Sequence, residues 1–187
     1  FNRIILCTGY KHNQIKKWVR SSYQGNLDII LSKEEISLGT GGAIKNASKY
    51  IKSDHFFVLN GDTFSKTKYK DLLNFYFNKN SLGVITVYND SKSKRYGSIS
   101  MDNHHKITSF NEKKFDGPSI VNKGVYLFSK EILTLMKKNQ FTSLEKNIFP
   151  SITKKKTKNL YGFFDNEDFI DIGTPNSYEY AKTFLVP

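Results

Sequence analysis

The sequence has little cysteine and no long hydrophobic run, and each of these absences excludes a class of protein. Cys7 is the single cysteine among 187 residues, so an internal disulfide framework is impossible. A chain without disulfides fits the cytoplasm. No apolar run approaches the ~20 residues that a membrane-spanning helix needs, so we expect no membrane partner.

Common catalytic and metal-binding patterns are also absent. No histidine pairs with cysteine at metal-ligand spacing, and no serine or cysteine has the surroundings of a catalytic triad.

Acidic residues are few. The chain has 17 Asp and Glu and 29 Lys and Arg, which gives a net charge of +12. Such charge favours nucleic acid, anionic lipid or phosphate-bearing substrates. The lysines are scattered along the chain, so we expect no specific nucleic-acid binding.

What is present is the composition of a folded domain. Hydrophobic residues make up 38% and aromatic residues 14% of the chain, which excludes a disordered protein. The length suits one domain of ordinary size. No internal repeat, low-complexity segment or linker interrupts the sequence, so we predict a single domain over residues 1–187.

The pattern of apolar runs predicts the fold class. Strand-like and helix-like segments alternate in the first half. A buried strand is predicted at 4–8, further strands at 27–31, 56–59 and 84–88, and helices at 12–23, 44–51 and 71–77. The second half contains a hairpin at 97–110, strands at 121–128, 160–164 and 169–172, and a last helix capped by Thr174. This predicts an α/β fold: a Rossmann-like, doubly wound, mostly parallel but mixed sheet with helices on both faces and a small β-hairpin insertion.

An aspartate follows the strand predicted at 56–59. The uninterrupted apolar run indicates a strand buried on both faces of a parallel sheet, and it ends at Asn60-Gly61-Asp62. Open α/β sheets bind their ligands at the carboxyl ends of such strands. Mg²⁺ prefers hard oxygen donors such as the Asp62 carboxylate. The alternative is a plain turn, because Asn-Gly and Gly-Asp are common turn pairs.

A second aspartate has a similar setting. Asp171 ends the predicted strand at 169–172, directly before the last helix. Carboxylates at two strand ends can share one metal ion across the edge of a sheet, so Asp62 and Asp171 are our candidate metal ligands. The alternative is that Asp171 helps to cap the last helix.

A glycine-rich loop, Leu38–Ala43, joins a predicted strand to a helix. Glycines let the backbone approach a ligand closely, and the helix start is expected to offer free N–H donors. The loop matches neither the Walker pattern nor the dinucleotide fingerprint. The alternative is a tight turn without a ligand.

Polar residues at two other strand positions are candidates for ligand contacts. Glu112 and Lys113 end a strand, where the carboxylate suits sugar hydroxyls and the compact ammonium suits a phosphate. The alternative is an exposed ion pair of little energetic value. Asn122 and Gly124 interrupt an apolar strand, which indicates close approach of a ligand or simply a bulge.

Several of these stretches occur together in a familiar order. They are Leu-Gly-Thr-Gly-Gly-Ala at 38–43, Leu-Asn-Gly-Asp-Thr at 59–63, Tyr-Gly-Ser-Ile at 96–99, Phe-Asn-Glu-Lys at 110–113, Asn-Lys-Gly-Val-Tyr at 122–126 and Phe-Ile-Asp-Ile-Gly-Thr-Pro at 169–175. In this order they resemble the sugar nucleotidyltransferases, which join a sugar 1-phosphate to a nucleoside triphosphate. Within that family the sequence most resembles the heptose 1-phosphate guanylyltransferases.

The resemblance implies a reaction and a set of roles. The chain would transfer a nucleoside monophosphate, GMP from GTP by preference, to a manno-heptose 1-phosphate, with Mg²⁺ as cofactor. The products would be a nucleotide sugar for surface polysaccharide and pyrophosphate, and a homo-oligomer is one possible assembly. Asp62, Lys113 and Asp171 would be catalytic. The residues expected to line the sugar are Gly97, Glu112, Asn122 and Gly124, and those expected to meet the nucleotide are Glu34, Gly39, Thr40, Gly61 and Asp62.

Glu34 supports the preference for GTP. It lies five residues before Gly39, where family members place a side chain that reads the base. A carboxylate can accept hydrogen bonds from guanine N1–H and N2–H together, and uracil offers only one such donor.

One departure from the family pattern concerns the start of the chain. The family opens with a strand and a glycine-rich loop that carries an arginine, whereas Tyr10-Lys11-His12 has neither feature. Residues 1–10 resemble the family's second strand, so we expect one further βα unit, about 40 or more residues, upstream.

Two other functions stay open: a metal-dependent glycosyltransferase and a non-catalytic nucleotide-binding module.

Overall fold

The structure, a computed structural model, describes residues 1–91, 97–111, 117–154 and 159–184. The chain divides into two compact units, which we describe separately. The first unit comprises Phe1–Asp54 and Glu131–Ile148, and the second comprises His55–Lys130 and Phe149–Pro187. The single domain over 1–187 stays a prediction.

Strands and helices lie close to the positions that the sequence predicts. The strands are β1 (Arg3–Thr8), β2 (Asp28–Lys33), β3 (His55–Leu59), β4 (Thr63–Ser65), β5 (Gly83–Asp90), β6 (Ser98–Met101), β7 (Ile107–Asn111), β8 (Ser119–Ser129), β9 (Leu160–Phe164) and β10 (Phe169–Asp171). The α-helices are α1 (His12–Ser21), α2 (Gly39–Ala47), α3 (Tyr69–Phe77), α4 (Phe149–Lys154) and α5 (Pro175–Phe184). Short 3₁₀ segments cover Ser48–Tyr50 and Lys130–Leu135, and a π-helical turn covers Leu144–Ile148. No helix in these ranges is long and apolar enough to cross a membrane.

The first unit contains the parallel strand pair β1–β2. Their residues pair in register from Arg3 with Asp28 to Thr8 with Lys33. The prediction that residues 4–8 form a buried strand is wrong for most of them, because only Thr8 is buried and Ile4 is 38% exposed. Among the described residues β1 pairs with β2 alone, so its apolar side chains lack a second neighbouring strand.

The second unit contains a mixed four-stranded sheet in the order β3–β8–β5–β9. β8 runs antiparallel to both β3 and β5, whereas β5 and β9 are parallel. β5 has a strand on each side, and its residues from Gly83 to Val87 are buried, as a continuous apolar run predicts. The predicted fold class, α/β with a mixed sheet, is confirmed.

β3 differs from its prediction in one respect. It pairs antiparallel with β8, its side chains are half-buried or exposed, and Leu59 is 50% exposed. The prediction of a strand buried on both faces of a parallel sheet is therefore wrong. The reason is that β3 is an edge strand within the described part of this sheet, so one of its sides has no strand to cover it.

The core of the second unit forms where α3 packs on the sheet. Leu72 and Tyr76 lie four residues apart on one face of α3, and both contact a buried cluster that includes Val84, Val125 and Leu127. Burying each large apolar side chain of this kind stabilises the fold by about 1.5–3 kcal/mol. This cluster fixes β8 and β5, the strands that lead to the candidate site.

The predicted hairpin and the predicted helix cap are both present. β6 and β7 are antiparallel, and the Asp102 carboxylate closes their turn by accepting hydrogen bonds from the amides of Lys106 and His104, at 2.9 Å each. At the start of α5, the Thr174 hydroxyl accepts a hydrogen bond from the Ser177 amide at 3.2 Å. Within α5, Tyr178 is 52% exposed, whereas Ala181 is buried.

Candidate active site

A short antiparallel ribbon has the two predicted metal ligands near one of its ends. β4 pairs with β10, with Asp171 opposite Thr63. Asp62 directly precedes β4, and its carbonyl accepts a hydrogen bond from the Ile172 amide at 2.8 Å. Asp62 and Asp171 therefore lie near the same end of the ribbon, although they are far apart in the sequence.

Both carboxylates are accessible to solvent. Asp62 is exposed and Asp171 is half-buried, so neither is locked into the core. One oxygen of Asp171, Oδ1, accepts a hydrogen bond from the Gly173 amide at 2.7 Å. This bond orients the carboxylate without burying it, and the capping of α5 is done by Thr174.

The pair suits a metal ion that arrives with a phosphate. Among residues 1–91, 97–111, 117–154 and 159–184, no three His, Cys, Asp or Glu side chains cluster as a metal cage. Mg²⁺ keeps several water ligands and is usually bound through one or two carboxylates plus substrate phosphates. Two solvent-accessible aspartates at the same end of one ribbon have the chemistry of that donor set, so the residue types fit Mg²⁺.

A bulge in β8 explains why Asn122 and Gly124 interrupt an apolar strand. The register with β5 passes from Tyr126–Ile85 to Asn122–Val87, so β8 holds extra residues there. Asn122 Oδ1 accepts a hydrogen bond from the Gly124 amide at 2.9 Å, and Asn122 Nδ2 donates to the Tyr126 hydroxyl at 2.7 Å. The bulge alternative is thus confirmed, and a role in sugar binding stays a prediction.

Gly124 also connects the bulge to the residues before Asp62. Its φ is +76°, a left-handed conformation that favours glycine, and a Cβ there would lie 2.7 Å from Asn60 Nδ2. The Asn60 amide donates to the Gly124 carbonyl at 2.8 Å. Because Asn60 precedes Gly61 and Asp62, one residue joins the bulge to the candidate metal site.

The sequence reasoning missed a buried ion pair beside this bulge. Lys123 Nζ lies 3.1 Å from Asp165 Oδ2, and the two side chains are 0% and 2% exposed. In the sequence, Lys123 lies within the stretch Asn-Lys-Gly-Val-Tyr at 122–126, and no local pattern connects it to Asp165. A lysine inside an apolar strand was the available signal, since a buried ammonium requires a partner.

The remaining predicted sugar residues are only partly described. Gly97 lies at the start of β6, where a Cβ would be 2.9 Å from the Asn111 carbonyl oxygen, so this glycine lets β6 and β7 approach. Glu112 and Lys113 lie outside the described residues. Gly61 is exposed, and no atom of the described residues would lie within 4 Å of a Cβ at this position.

In the first unit, the glycine-rich loop differs from its prediction. The amides of Gly41 and Gly42 donate to the Thr142 carbonyl, at 2.8 and 3.1 Å, so these donors at the helix start are not free. A Cβ at Gly42 would lie 2.8 Å from the Gln140 carbonyl oxygen. The glycines therefore permit close packing against residues 140–142, a chain segment that local sequence could not reveal.

Residues of that unit predicted to meet the nucleotide also have contacts within it. The Thr40 hydroxyl accepts a hydrogen bond from the Leu144 amide at 2.9 Å. Gly39 has a φ of +69° and takes the left-handed conformation at the start of α2. Glu34 Oε2 accepts a hydrogen bond from the Leu38 amide at 2.9 Å, so this carboxylate is held in place by the loop.

Comparisons with known proteins are consistent over nearly the whole chain. A family model described as nucleotidyl transferase matches residues 1–186. The D-glycero-alpha-D-manno-heptose 1-phosphate guanylyltransferase of Campylobacter jejuni is 34% identical, over 94% of this chain and 75% of that protein. The protein of the same name from Aneurinibacillus thermoaerophilus is 29% identical, over 98% of this chain and 78% of that protein.

A solved structure of a similar protein also matches nearly the whole chain. HddC from Yersinia pseudotuberculosis, crystallised in complex with GMP-PN, superposes with a TM-score of 0.84 at 35% identity. The match covers 98% of this chain and 79% of that chain. With a family model spanning the described ranges and relatives above 30% identity, the chain belongs to the nucleotidyl transferase family.

Proposed function

We propose that the chain transfers GMP from GTP to a manno-heptose 1-phosphate and releases pyrophosphate. The observation that carries this proposal is the position of Asp62 and Asp171 at one end of the β4–β10 ribbon, in a chain of the nucleotidyl transferase family. The choice of substrates is supported by the relatives named as heptose 1-phosphate guanylyltransferases. The product would be GDP-heptose, a nucleotide sugar suited to surface polysaccharide synthesis in the cytoplasm.

The reaction needs no nucleophile from the protein. An oxygen of the sugar 1-phosphate attacks the α-phosphorus of GTP in line, a new P–O bond forms, and the bond to the β-phosphate oxygen breaks. Pyrophosphate leaves with the electron pair of that bond. The protein's contribution is to position the two substrates and to offset the negative charge around the α-phosphorus.

Asp62 and Asp171 would hold the Mg²⁺ ion in this proposal. When bound, Mg²⁺ would offset the negative charge of the phosphates. The hydrogen bond from Gly173 to Asp171 fixes one carboxylate before substrate arrives. Asn60 links this site to the β8 bulge, because its amide donates a hydrogen bond to the Gly124 carbonyl.

The other roles follow the sequence predictions. Lys113 would steady the sugar phosphate, and the sugar would be lined by Gly97, Glu112, Asn122 and Gly124. Gly39, Thr40 and Gly61 would meet the nucleotide. Glu34, whose Oε2 already accepts the Leu38 amide, would present its carboxylate edge to the guanine base.

A pyrophosphate-release assay tests this function. The enzyme is incubated with Mg²⁺, each of the four common nucleoside triphosphates, and manno-heptose, mannose or glucose 1-phosphate. We expect release that needs both substrates and is fastest with GTP and the heptose phosphate. A clear preference for UTP or dTTP contradicts the assignment of GTP. Sugar transfer from a nucleotide sugar, without pyrophosphate release, would identify a glycosyltransferase instead.

A further inference from the structure

We propose that the buried Lys123–Asp165 ion pair is a positioning pair for the transfer reaction. The pair holds the β8 bulge and the β4–β10 ribbon in one arrangement, and through them it acts on the sugar-lining residues and on Asp62 and Asp171. This inference rests on the proposed function and concerns residues that make no contact with substrate in that proposal.

The Lys123 ammonium is fully committed to this part of the second unit. Its Nζ donates to Asp165 Oδ2 at 3.1 Å, to the Asp165 carbonyl at 3.1 Å and to the Glu167 carbonyl at 2.8 Å. An ammonium has three N–H donors, so each has an acceptor. A lysine that is 1% exposed and bonded in this way has one preferred position.

Asp165 extends the contact to the far end of the ribbon. Its Oδ2 accepts a hydrogen bond from the Thr67 hydroxyl at 2.6 Å, and its Oδ1 accepts one from the Glu167 amide at 3.0 Å. Thr67 follows β4, and the Lys66 amide donates to the Asp168 carbonyl at 2.9 Å, directly before β10. The segments that leave β4 and enter β10 are therefore fastened together at the end opposite Asp62 and Asp171.

Lys123 itself fastens the bulge. It lies between Asn122 and Gly124 in β8. The next residue after Gly124, Val125, is held to β5 because its carbonyl accepts a hydrogen bond from the Thr86 hydroxyl at 2.9 Å. A shift of Lys123 would move both neighbours, and Gly124 contacts Asn60 at the start of the Asn60-Gly61-Asp62 segment. The ion pair thus reaches the candidate metal site by two routes, through the bulge and through the ribbon.

The chemistry of the pair favours positioning over simple stabilisation. Apolar residues of similar volume are often as stabilising as a buried ion pair, but they impose no direction on their neighbours. Here the bonds are directional and join three separate segments of the chain. Misplacing reacting groups by ~1 Å can lower a rate by about 10²-fold, so such a constraint has a measurable effect on catalysis.

Two variants of different severity test the proposal. Lys123→Met removes the ammonium, and Thr67→Val removes only one hydroxyl while keeping the side-chain shape. The matched control is Tyr76→Phe, which removes one buried hydroxyl that bonds His55 Nδ1 at 2.9 Å in the same unit. For each variant we measure kcat, the KM for the sugar 1-phosphate and the Mg²⁺ concentration at half-maximal rate. Electron paramagnetic resonance of Mn²⁺ in the presence of a non-hydrolysable GTP analogue measures metal binding without turnover.

We expect Thr67→Val to raise the half-maximal Mg²⁺ concentration and the KM several-fold, and Lys123→Met to raise them about tenfold or more. Weaker Mn²⁺ binding should accompany both changes. Tyr76→Phe should leave these constants at the wild-type values. A purely structural role alters only the amount of folded enzyme, which lowers the apparent kcat without moving a half-saturation constant.

The failure of this inference is separable from failure of the proposed function. If the wild-type enzyme releases no pyrophosphate with any tested pair, the proposed function is wrong. If the wild type is active and folded Thr67→Val has the wild-type constants and Mn²⁺ affinity, the positioning role is wrong, even if Lys123→Met fails to fold.

Discussion

The carbonyl of Asp62 accepts a 2.8 Å hydrogen bond from the amide of Ile172, the residue after Asp171. This bond aligns two segments that are far apart in sequence and places their aspartates at one end of the β4–β10 ribbon. Because both carboxylates reach solvent, they can receive a metal ion that carries phosphates. The relationship between these residues is the basis of the proposed mechanism.

Neutralising Asp171 should abolish most of the activity with little effect on folding. Asp171→Asn keeps the shape of a half-buried side chain but removes a candidate metal ligand, so we expect kcat/KM to fall by about 10²-fold or more. Steady-state pyrophosphate release measures the change. Glu179→Gln, which removes an exposed carboxylate on α5, is the control and should retain activity. Equal activity of Asp171→Asn and Glu179→Gln would contradict the assignment.

Gly124 should not tolerate a side chain. Gly124→Ala places a Cβ in a left-handed conformation and against Asn60, so we expect a loss of about 2 kcal/mol in the free energy of unfolding. Gly61→Ala is the control for stability, because the added Cβ would have no neighbour within 4 Å in the part of the chain that the structure describes. Urea unfolding of both variants measures the difference. Equal stability would show that the bulge lacks the geometry described above.

Removing one partner of the buried ion pair should lower the free energy of unfolding more than replacing both partners with apolar residues does. Lys123→Met leaves Asp165 buried without its cation, which we expect to lower the free energy of unfolding by about 3–5 kcal/mol. The double variant Lys123→Met/Asp165→Leu removes both charges and should recover part of that loss. Thermal and urea unfolding give the free energies. A double variant less stable than Lys123→Met alone would contradict this interpretation.

The hairpin turn should respond to acid. The Lys106 amide, and after it the His104 amide, donate to the Asp102 carboxylate and hold the pKa of Asp102 below its usual value. A carboxyl with a depressed folded pKa stabilises the fold above its unfolded pKa, and that contribution is lost as the pH falls through the folded pKa. We therefore expect the turn to loosen as the pH falls below the pKa of an ordinary aspartate. An NMR titration that gives Asp102 an ordinary or raised pKa would contradict this, and Asp102→Asn should remove the pH dependence.

The sequence predicted the features of the site that depend on local pattern. The strand ends at Asp62 and Asp171, the cap at Thr174 and the irregular strand at Asn122 and Gly124 each follow from residue types in a short window. Their order along the chain was sufficient to indicate the family. These predictions succeeded because turn chemistry and helix capping are set by neighbouring residues.

The features that the sequence did not reveal depend on distant contacts. Lys123 and Asp165 are 42 residues apart, and only the fold shows that the lysine is buried and paired. The amides of Gly41 and Gly42 donate to the carbonyl of Thr142, which lies about a hundred positions further along the chain. Thr40 and Leu144, which also form a hydrogen bond, are 104 positions apart. The apolar run of β3 is typical of a central strand, but β3 lies at the edge of its sheet within the described residues. An apolar run indicates that side chains can be buried, and it does not indicate how many strands lie beside it.

The most direct test of the account is a Mn²⁺ titration followed by electron paramagnetic resonance, with a non-hydrolysable GTP analogue present. We predict that the wild-type protein binds the ion together with the nucleotide and that Asp62→Asn/Asp171→Asn loses this binding while remaining folded. Unchanged Mn²⁺ affinity in the double variant would contradict the claim that these two aspartates share one divalent ion.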